Sequence, residues 1–299
     1  MKSEILIGVD LGGTRIKAVA IDSTGKTLYN YFHPTHESKD KIWKKAVKDA
    51  VRTIYEKVET DALNVGISAP GLPNAENSAI GYMPGRLHGL ENFNWSDFLE
   101  TRAFVLNDAV AAMMAEAKFG AAKNQKNVIM LTLGTGVGGG ILIDGKPYQG
   151  AFQKAGHLGH LTLDSEGNPD IIGTPGSLED AIGNCTIEKR TNGKFSNTSD
   201  LIAAHRSGDE FATKVWLTSV NKLAVALGSL TNILSPETII LGGGITEANE
   251  DLFDPLKEMM EKYEWRTGGN KAEIVKAQYG DLAGAVGAAC FAKQMNIKD

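Results

Sequence analysis

Residues 9–26 read VDLGGTRIKAVAIDSTGK, and residues 131–146 return to the same pattern with LTLGTGVGGGILIDGK. Each copy has a branched apolar run, a glycine turn, a second apolar run that ends in Ile-Asp, and a Gly-Lys turn. This order predicts two strands joined by a glycine turn. Asp10 falls on Thr132, and the offset of 122 (132 − 10) is kept through the Ile-Asp pair of each copy. Two unrelated hairpins would share the glycine turn, but a register kept over this length favours an internal duplication.

The rest of the chain alternates between strand and helix patterns. Apolar residues at spacings of three and four predict amphipathic helices, and short branched runs predict strands. The predicted strands are three within residues 4–32, then 64–70, 103–108 and a strand that meets a glycine turn in 237–245; the predicted helices are 40–59, 109–120, 211–234, 250–263 and 281–295. Small residues in the last helix would allow close backbone packing. Strands alternating with helices in two similar halves predict an α/β fold of two domains with a cleft between them.

The composition is that of an ordinary globular protein. Of 299 residues, 42% are hydrophobic and 22% charged, and the net charge is −5, so nothing favours a nucleic acid or an anionic membrane as partner. The two cysteines, Cys185 and Cys290, form no close-spaced pair, which fits a reducing compartment. The first apolar run, ILIGV, is too short for a signal peptide. We therefore expect a cytoplasmic protein without a membrane span.

The glycine-rich segment GTGVGG at residues 134–139 has the spacing of a dinucleotide-binding loop. That loop requires a helix to begin on the glycines. Here the branched run GGGILID follows, which predicts a strand, so we reject the dinucleotide interpretation. A strand–turn–strand tip without side chains can instead present backbone N–H groups to a phosphate. Asp10 precedes the first such tip, where a carboxylate can hold Mg²⁺, although an aspartate there also commonly initiates a turn.

Taken together, the motifs resemble those of the ROK family of sugar kinases, within the actin–hexokinase superfamily. The matching segments are, in chain order, GVDLGGTRIK, GISAPG, LNDAVAAMMAE, LGTGVGGG and LGGGI. No single motif is decisive, whereas their order and spacing over nearly the whole chain are highly specific. The resemblance implies a ribonuclease-H-like (actin-like ATPase) fold in each domain and ATP in the cleft. It also implies glucokinase-like transfer of the γ-phosphate to a hexose, usually at its 6-hydroxyl.

Individual roles follow from the resemblance. The residues expected near the phosphates and Mg²⁺ are Asp10, Gly12, Gly13, Thr14, Lys17, Gly134, Thr135 and Gly136, with Gly243 and Gly244 near adenosine. The residues expected around the sugar are Gly71, Asn107, Asp108, His157, His160 and Glu179. We expect residues 1–118, joined by the C-terminal helix 283–297, to form a domain on the sugar and phosphate side. Residues 119–282 would form the nucleotide and dimer side. The expected cofactors are ATP and Mg²⁺, and the expected assembly is a homodimer.

The segment LND has both a structural and a catalytic interpretation. Asn107 stands before an alanine-rich helix, where an N-cap is favoured, and an acid such as Asp108 suits a first helical turn. Phosphoryl transfer also needs a group that takes the proton of the attacking hydroxyl. An aspartate with a pKa near ~4 is ionised at neutral pH and can accept that proton. We assign Asp108 as the general base.

The stretch GHLGHLTLDSEGNPDIIGTPGSLED at residues 156–180 departs from the family pattern. In ROK kinases this region reads Glu-x-Gly-His and then C-x-C-G-x-x-G-C-x-E, where the histidine and three cysteines bind zinc. Here His157 stands in place of the glutamate and His160 is kept. The cysteine positions carry Asp170, Ile172 and Ser177. Zinc needs four good N or S ligands, so we expect no structural zinc.

The pattern HLGHLTLD alternates after Gly159, which predicts a strand that would point the two imidazoles to opposite faces. The identity of the sugar stays open, because at His157 a neutral imidazole replaces a charged acceptor.

Other functions fit parts of the same pattern. A sugar-sensing regulator without catalysis would carry a helix-turn-helix ahead of the kinase-like part, and the first phosphate motif here begins at residue 10. A structural ATP-binding protein of the actin type would have no use for Asn107, Asp108 and Glu179. A kinase for an N-acetylhexosamine, or one that uses polyphosphate, stays open.

Overall fold

A computed structural model describes residues 4–35, 40–58 and 64–296 of the chain. The chain divides into two compact units. Unit 1 comprises Met1–Asn124, Lys146–Ala155 and Gln278–Asp299, and unit 2 comprises Gln125–Gly145 and Gly156–Ala277. The expected domain boundaries, 118/119 and 282/283, lie a few residues from these, and the sequence did not indicate that residues 146–155 group with unit 1.

Unit 1 is built on a five-stranded sheet with the order β3-β2-β1-β4-β7. Its elements are β1 (Ile5–Leu11), β2 (Arg15–Asp22), β3 (Thr27–Pro34), α1 (Asp40–Val58), β4 (Asn64–Ala69), β5 (Leu72–Pro73), β6 (Ile80–Tyr82), α2 (Trp95–Leu99), β7 (Arg102–Asn107), α3 (Asp108–Phe119) and α9 (Ala283–Asn296), with β10 (Lys146–Pro147) in the segment that joins it from the middle of the chain. Strands β1, β4 and β7 are parallel, and β2 and β3 are antiparallel to their neighbours. The carboxyl ends of β1, β4 and β7 therefore meet at one edge of the sheet.

Helix α9 packs directly on the backbone of the sheet. Because successive side chains of a strand point to opposite faces, Gly8 and Asp10 lie on the face opposite Ile7 and Val9. A Cβ added to Gly8 would lie 1.9 Å from the backbone oxygen of Ala285 in α9. Glycine at this position is what allows the helix to approach the sheet, as the small-residue pattern of the last helix predicted.

Unit 2 repeats this arrangement, with strands in the order β9-β8-β11-β12. Its elements are β8 (Val128–Leu133), β9 (Val137–Ile143), α4 (Leu178–Ile182), α5 (Ile187–Arg190), α6 (Thr198–Arg206), α7 (Glu210–Leu234), β11 (Thr238–Gly242), α8 (Glu250–Tyr263) and β12 (Glu273–Lys276). Strands β8, β11 and β12 are parallel, and β9 is antiparallel to β8. The core of the unit surrounds the fully buried Trp216 of α7.

The duplication read from the sequence is confirmed. Strand β1 ends at Leu11 and β8 at Leu133, while β2 begins at Arg15 and β9 at Val137. Both offsets are 122 (133 − 11 and 137 − 15). The four-strand order β2-β1-β4-β7 of unit 1 matches β9-β8-β11-β12 of unit 2, with the same strand directions. Strand β9 begins at Val137, within the segment GTGVGG, so no helix starts on these glycines and the segment is not a dinucleotide-binding loop.

The predicted strands and helices are found within a few residues of their expected limits. The predicted helix ends at residues 59 and 297 lie outside the described residues. One difference concerns Asp108, which is the first residue of α3 rather than the last of a strand. Within the described part of the chain, no helix has the length and apolar character needed to cross a membrane.

Candidate active site

The carboxyl edge of the unit 1 sheet brings together polar residues from three parallel strands. Asp10 of β1 is in register with Ser68 of β4, and Ala69 of β4 is in register with Asn107 of β7. In open α/β sheets, ligands bind at this edge. Three motifs that are far apart in the sequence therefore converge here: GVDLGGTRIK, GISAPG and LND.

Asp10 lies at the base of this edge with its side chain 13% exposed. Its Oδ1 accepts a hydrogen bond from the Ser68 hydroxyl at 2.7 Å, and Lys17 Nζ lies 3.5 Å from Oδ2. Burial raises the pKa of the Asp10 carboxyl, and the bonds from Ser68 and Lys17 only partly offset this effect. Gly284, in the first turn of α9, lies against the carboxylate, because a Cβ there would be 2.7 Å from it.

Lys17 joins Asp10 to a second acid. Its Nζ lies 2.9 Å from Oδ1 of Asp281, which also forms an ion pair with Arg15. The hydrogen bond from Lys17, followed by the charges of Lys17 and Arg15, lowers the pKa of Asp281. The pKa values of the two acids therefore shift in opposite directions, since burial raises that of Asp10. Two cations thus stand beside the turn at residues 12–14, where the resemblance places phosphate.

Asn107 is the N-cap of α3, as predicted. Its Oδ1 accepts the backbone N–H groups of Ala109 at 2.9 Å and Val110 at 3.3 Å, and its Nδ2 donates to the carbonyl of Gly71 at 3.1 Å. Gly71 has a φ of 101°, which favours glycine. The cap therefore also holds the turn after β4 next to the start of α3.

Asp108 follows the cap and has an unusual electrostatic setting. Burial, and then the charge of Asp10, raise the pKa of Asp108 to about 6, although the hydrogen bond from the Ala109 N–H and the charge of Arg86 act the other way. The residue still has exposed surface. Asp108 is thus a carboxyl that a ligand can reach and that changes charge close to neutral pH.

In unit 2, the turn at residues 134–136 is held by the segment after α4. The carbonyls of Gly134 and Thr135 accept the backbone N–H groups of Asn184 at 2.9 Å and Cys185 at 2.8 Å. Gly243, at the end of β11, approaches the same place, because a Cβ on it would lie 2.3 Å from the carbonyl of Leu133. Gly244 follows with open space beside its Cα. The residues expected near phosphate and adenosine are neighbours at the carboxyl edge of the unit 2 sheet.

Glu179 lies at this turn too. It is in the first turn of α4, whose N-cap is Ser177. Its Oε2 accepts the backbone N–H of Val137 at 2.9 Å and lies 2.3 Å from the place of a Cβ on Gly136. An expected sugar residue and an expected phosphate residue are therefore in contact.

The two histidines lie on one tight turn rather than on a strand. Residues Leu158–His160 form a single 3₁₀ turn that follows His157. The strand expectation for this stretch was wrong because Gly159 packs on β9: a Cβ there would be 2.0 Å from the carbonyl of Val137. The backbone N–H of His160 donates to the carbonyl of His157 at 3.3 Å, which closes the turn. Burial and His160 lower the pKa of His157, so its ring is neutral near pH 7.

His160 is hydrogen-bonded to Asp170, the residue at the position of the first expected cysteine. Its Nδ1 lies 2.8 Å from Oδ2 of Asp170. Ile172 is 65% exposed and offers no ligand atom. Among the described residues, no group of three or more His, Cys, Asp or Glu side chains could hold a metal ion. The donor set at this loop does not fit structural zinc, whose absence stays a prediction.

Several contacts at these sites were not anticipated from the sequence. They include the hydrogen bond of Ser68 to Asp10, the pairing of Lys17 with Asp281, and the contact of Glu179 with Val137. Ser68 lies within the quoted motif GISAPG, so its position was a usable signal. No local pattern pointed to Asp281.

Comparison with known proteins agrees with this architecture over the full length. The sequence profile of the ROK family matches residues 6–295. The glucokinase of Streptomyces coelicolor is 31% identical over 324 residues, which cover 97% of this chain and 98% of that protein. A ROK hexokinase from Thermus thermophilus superposes with a TM-score of 0.89 at 28% identity, covering 99% of this chain and 100% of that chain.

A ROK family glucokinase from Streptomyces griseus, solved in complex with glucose and AMPPNP, superposes with a TM-score of 0.77. It is 28% identical, and the match covers 97% of this chain and 99% of that chain. The expected α/β fold of two actin-like domains is confirmed. With its profile match, its motifs and its duplicated sheet, the chain belongs to the ROK family.

Proposed function

We propose that this protein is an ATP-dependent hexose kinase that transfers the γ-phosphate of ATP to a sugar hydroxyl, the 6-hydroxyl of glucose or a related hexose. The observation that carries this proposal is Asp108, a reachable carboxyl with a raised pKa beside Asp10 at the carboxyl edge of the unit 1 sheet. The similarity to glucokinases, one of them solved with glucose and an ATP analogue, supports both substrates.

The proposed sugar contacts are hydroxyl-binding groups already oriented by the fold. Asn107 keeps its place through two backbone N–H groups and the carbonyl of Gly71. Glu179 keeps its place through the N–H of Val137. Side chains whose rotamers are set before binding lose little entropy when the sugar arrives. We assign Gly71, His157 and His160 as further sugar contacts.

The proposed phosphate contacts are the two glycine turns. The N–H groups of Gly12 and Gly134 close their own turns, donating to the carbonyls of Arg15 at 3.2 Å and Gly136 at 3.0 Å. We assign the N–H groups of residues 13–14 and 135–136 to phosphate, and Lys17 adds a cation to the first turn. Mg²⁺ fits Asp10, because a buried carboxylate whose pKa is raised gains from a hard cation with oxygen ligands. Bound with ATP, Mg²⁺ would neutralise charge on the phosphates. Gly243 and Gly244 are assigned to adenosine.

Asp108 would then act on the sugar. Its ionised carboxylate takes the proton of the attacking hydroxyl while the new O–P bond forms. The bond from the γ-phosphorus to its bridging oxygen breaks, and ADP leaves. Phosphoryl transfer asks mainly for position and charge, so the protein's part is to align the hydroxyl and to hold the base.

A phosphorylation assay over a panel of sugars tests this function. Glucose, mannose, fructose, allose, N-acetylglucosamine and N-acetylmannosamine would each be offered with Mg²⁺ and either ATP or polyphosphate. We expect the highest kcat/KM with ATP and an unmodified hexose. Preference for an N-acetylhexosamine or for polyphosphate would select the alternative kinase, and sugar binding without turnover would select the regulator.

The pH dependence of catalysis should report Asp108. The base works only when ionised, and its raised pKa means that it gains a proton below about 6. We expect kcat/KM for the sugar, at saturating MgATP, to rise with pH through about 6 and to level off above it. Circular dichroism at each pH would serve as the control for folding. A flat profile between pH 5 and 7 would contradict the assignment.

His157 should influence which sugar is preferred. Burial keeps its imidazole neutral, whereas the family's glutamate is a charged acceptor. We expect His157→Glu and His157→Ala to change relative kcat/KM values across the sugar panel by about tenfold, the size of one hydrogen bond to a charged group. Equal scaling of every sugar in both variants would mean that His157 is structural only.

The cytoplasmic address and the homodimer stay predictions, drawn from the composition and from the resemblance. Light scattering of the purified protein measures the second directly.

A further inference from the structure

One buried carboxylate organises the loop that follows the histidine turn. The side chain of Asp170 is 2% exposed, and its Oδ2 faces His160 Nδ1 at 2.8 Å. Its Oδ1 accepts the backbone N–H groups of Ile172 at 3.0 Å and Thr174 at 2.9 Å, and the Ser177 side chain also bonds the carboxyl. Both oxygens are therefore used by the loop itself, at a position where the family carries a zinc ligand.

The same cluster joins two sugar-site elements. Ser177 is the N-cap of α4, accepting the N–H of Asp180 at 3.2 Å, and Glu179 lies in the first turn of that helix. Backbone bonds run alongside, from the N–H of Leu178 to the carbonyl of Leu161 at 3.0 Å. Asp170 thus connects the turn that carries His160 with the helix that carries Glu179 through hydrogen bonds.

The protonation of the histidine follows from its partner. Burial raises the pKa of Asp170, but hydrogen bonds from His160, Thr174, Ser177 and Ile172 outweigh burial, and the pKa lies below its ordinary value. An ionised carboxylate only accepts hydrogen bonds, so Nδ1 of His160 must carry the proton. In the tautomer with the proton on Nδ1, the lone pair of the ring is on Nε2. The His160 side chain is 22% exposed, which leaves part of it within reach of a ligand.

We propose that Asp170 is a positioning residue that holds His160 in the Nδ1–H tautomer, so that Nε2 accepts a hydrogen bond from a sugar hydroxyl without any metal. The sugar part of this proposal rests on the proposed kinase function, and the tautomer part does not. Zinc bound to a histidine fixes its ring through a metal bond, whereas here an aspartate does so through a hydrogen bond.

Asp170→Asn is the sharpest variant. Its amide oxygen can keep the N–H groups of Ile172 and Thr174, which leaves the NH₂ group facing Nδ1. The NH₂ group can donate to Nδ1 only if Nδ1 carries the lone pair, so the ring proton moves to Nε2. Nε2 then donates a hydrogen bond, whereas in the wild type it accepts one. Asp164→Asn is the matched control, since Asp164 lies in the same loop, is exposed, and accepts a local N–H from Glu166 at 3.1 Å.

Nitrogen NMR of histidine-labelled protein reads the tautomer directly. The chain has 6 histidines, and His160→Gln assigns the signal. We expect a protonated Nδ1 in the wild type and in Asp164→Asn, and a protonated Nε2 in Asp170→Asn. A wild-type ring protonated on Nε2 would overturn the proposal whether or not any sugar is phosphorylated.

Kinetics test the sugar contact. We expect Asp170→Asn and Asp170→Ala to raise KM for the best sugar about tenfold, the loss of roughly one hydrogen bond, with KM for ATP within about twofold. Asp164→Asn should match the wild type. An active enzyme whose sugar KM is unchanged in Asp170→Asn would refute the role of Asp170, while the absence of turnover with every sugar would refute the proposed function instead.

Metal analysis completes the test. Protein purified without a histidine tag should contain well under one zinc per chain, and EDTA should leave the melting temperature unchanged. One tightly held zinc per chain, with unfolding on its removal, would replace the aspartate bond by a metal bond and overturn the proposal.

Discussion

Asp108→Asn is expected to lower kcat by about 10²–10⁴, the usual contribution of a general base. The amide keeps the size of the side chain and its bond to the N–H of Ala109, which lies 2.8 Å from Oδ1. It cannot take a proton from the attacking hydroxyl. Steady-state assays with the best sugar measure the loss, and retention of more than about a tenth of wild-type kcat would exclude Asp108 as the base.

The same variant should be no less stable than the wild type. A carboxyl with a raised native pKa favours folding while it is protonated, and this stability is lost as pH rises through about 6. A shift of about two units would correspond to about 3 kcal/mol for a fully buried group. Because Asp108 is partly exposed and solvent screens its charge, we expect a gain of only about 1 kcal/mol.

The gain should appear above pH 6 and vanish near pH 4, as measured by urea unfolding at both values. Asp97→Asn is the control, since Asp97 is an exposed acid in the first turn of α2 in the same unit. It should leave kcat unchanged.

Gly66→Ala should lower the free energy of unfolding by about 3 kcal/mol or more, the upper range for overpacking a core. Gly66 lies in β4 under α9, and a Cβ there would be 1.8 Å from the backbone oxygen of Ala288. Backbone cannot rotate away as a side chain can, so the helix must shift. Activity should fall as well, because the first turn of α9 holds Gly284 against Asp10.

Gly81→Ala is the matched control for this substitution. Gly81 lies in β6 of the same unit, and its added Cβ would meet Asn74 at an ordinary 3.7 Å. Thermal unfolding measures both variants: we expect a drop of about 6–12 °C for Gly66→Ala and little change for Gly81→Ala. Equal melting temperatures for the two variants would mean that α9 does not approach the sheet as described.

The local structure of this protein follows from short-range patterns. The spacing of apolar residues predicted the strands and helices, and the repeated glycine turn predicted two equivalent hairpins. The limits that flank each turn, Leu11 and Arg15 in one copy and Leu133 and Val137 in the other, differ by 122. Asn107 was predicted as a cap because capping depends only on the next three residues. Such features depend on neighbours in the chain, which is why the sequence alone was sufficient for them.

The chemistry of the site depends on residues that the sheets bring together. Ser68 reaches Asp10 only because β4 pairs with β1, and the pKa of Asp108 rises only because the fold partly desolvates its carboxyl and places Asp10 nearby. The histidine turn is not the strand that its alternation suggested, because β9 passes beneath it at Gly159. Apolar periodicity carries no information on which distant backbones approach each other. Desolvation, charge coupling and hydrogen-bond partners are therefore determined by the tertiary structure.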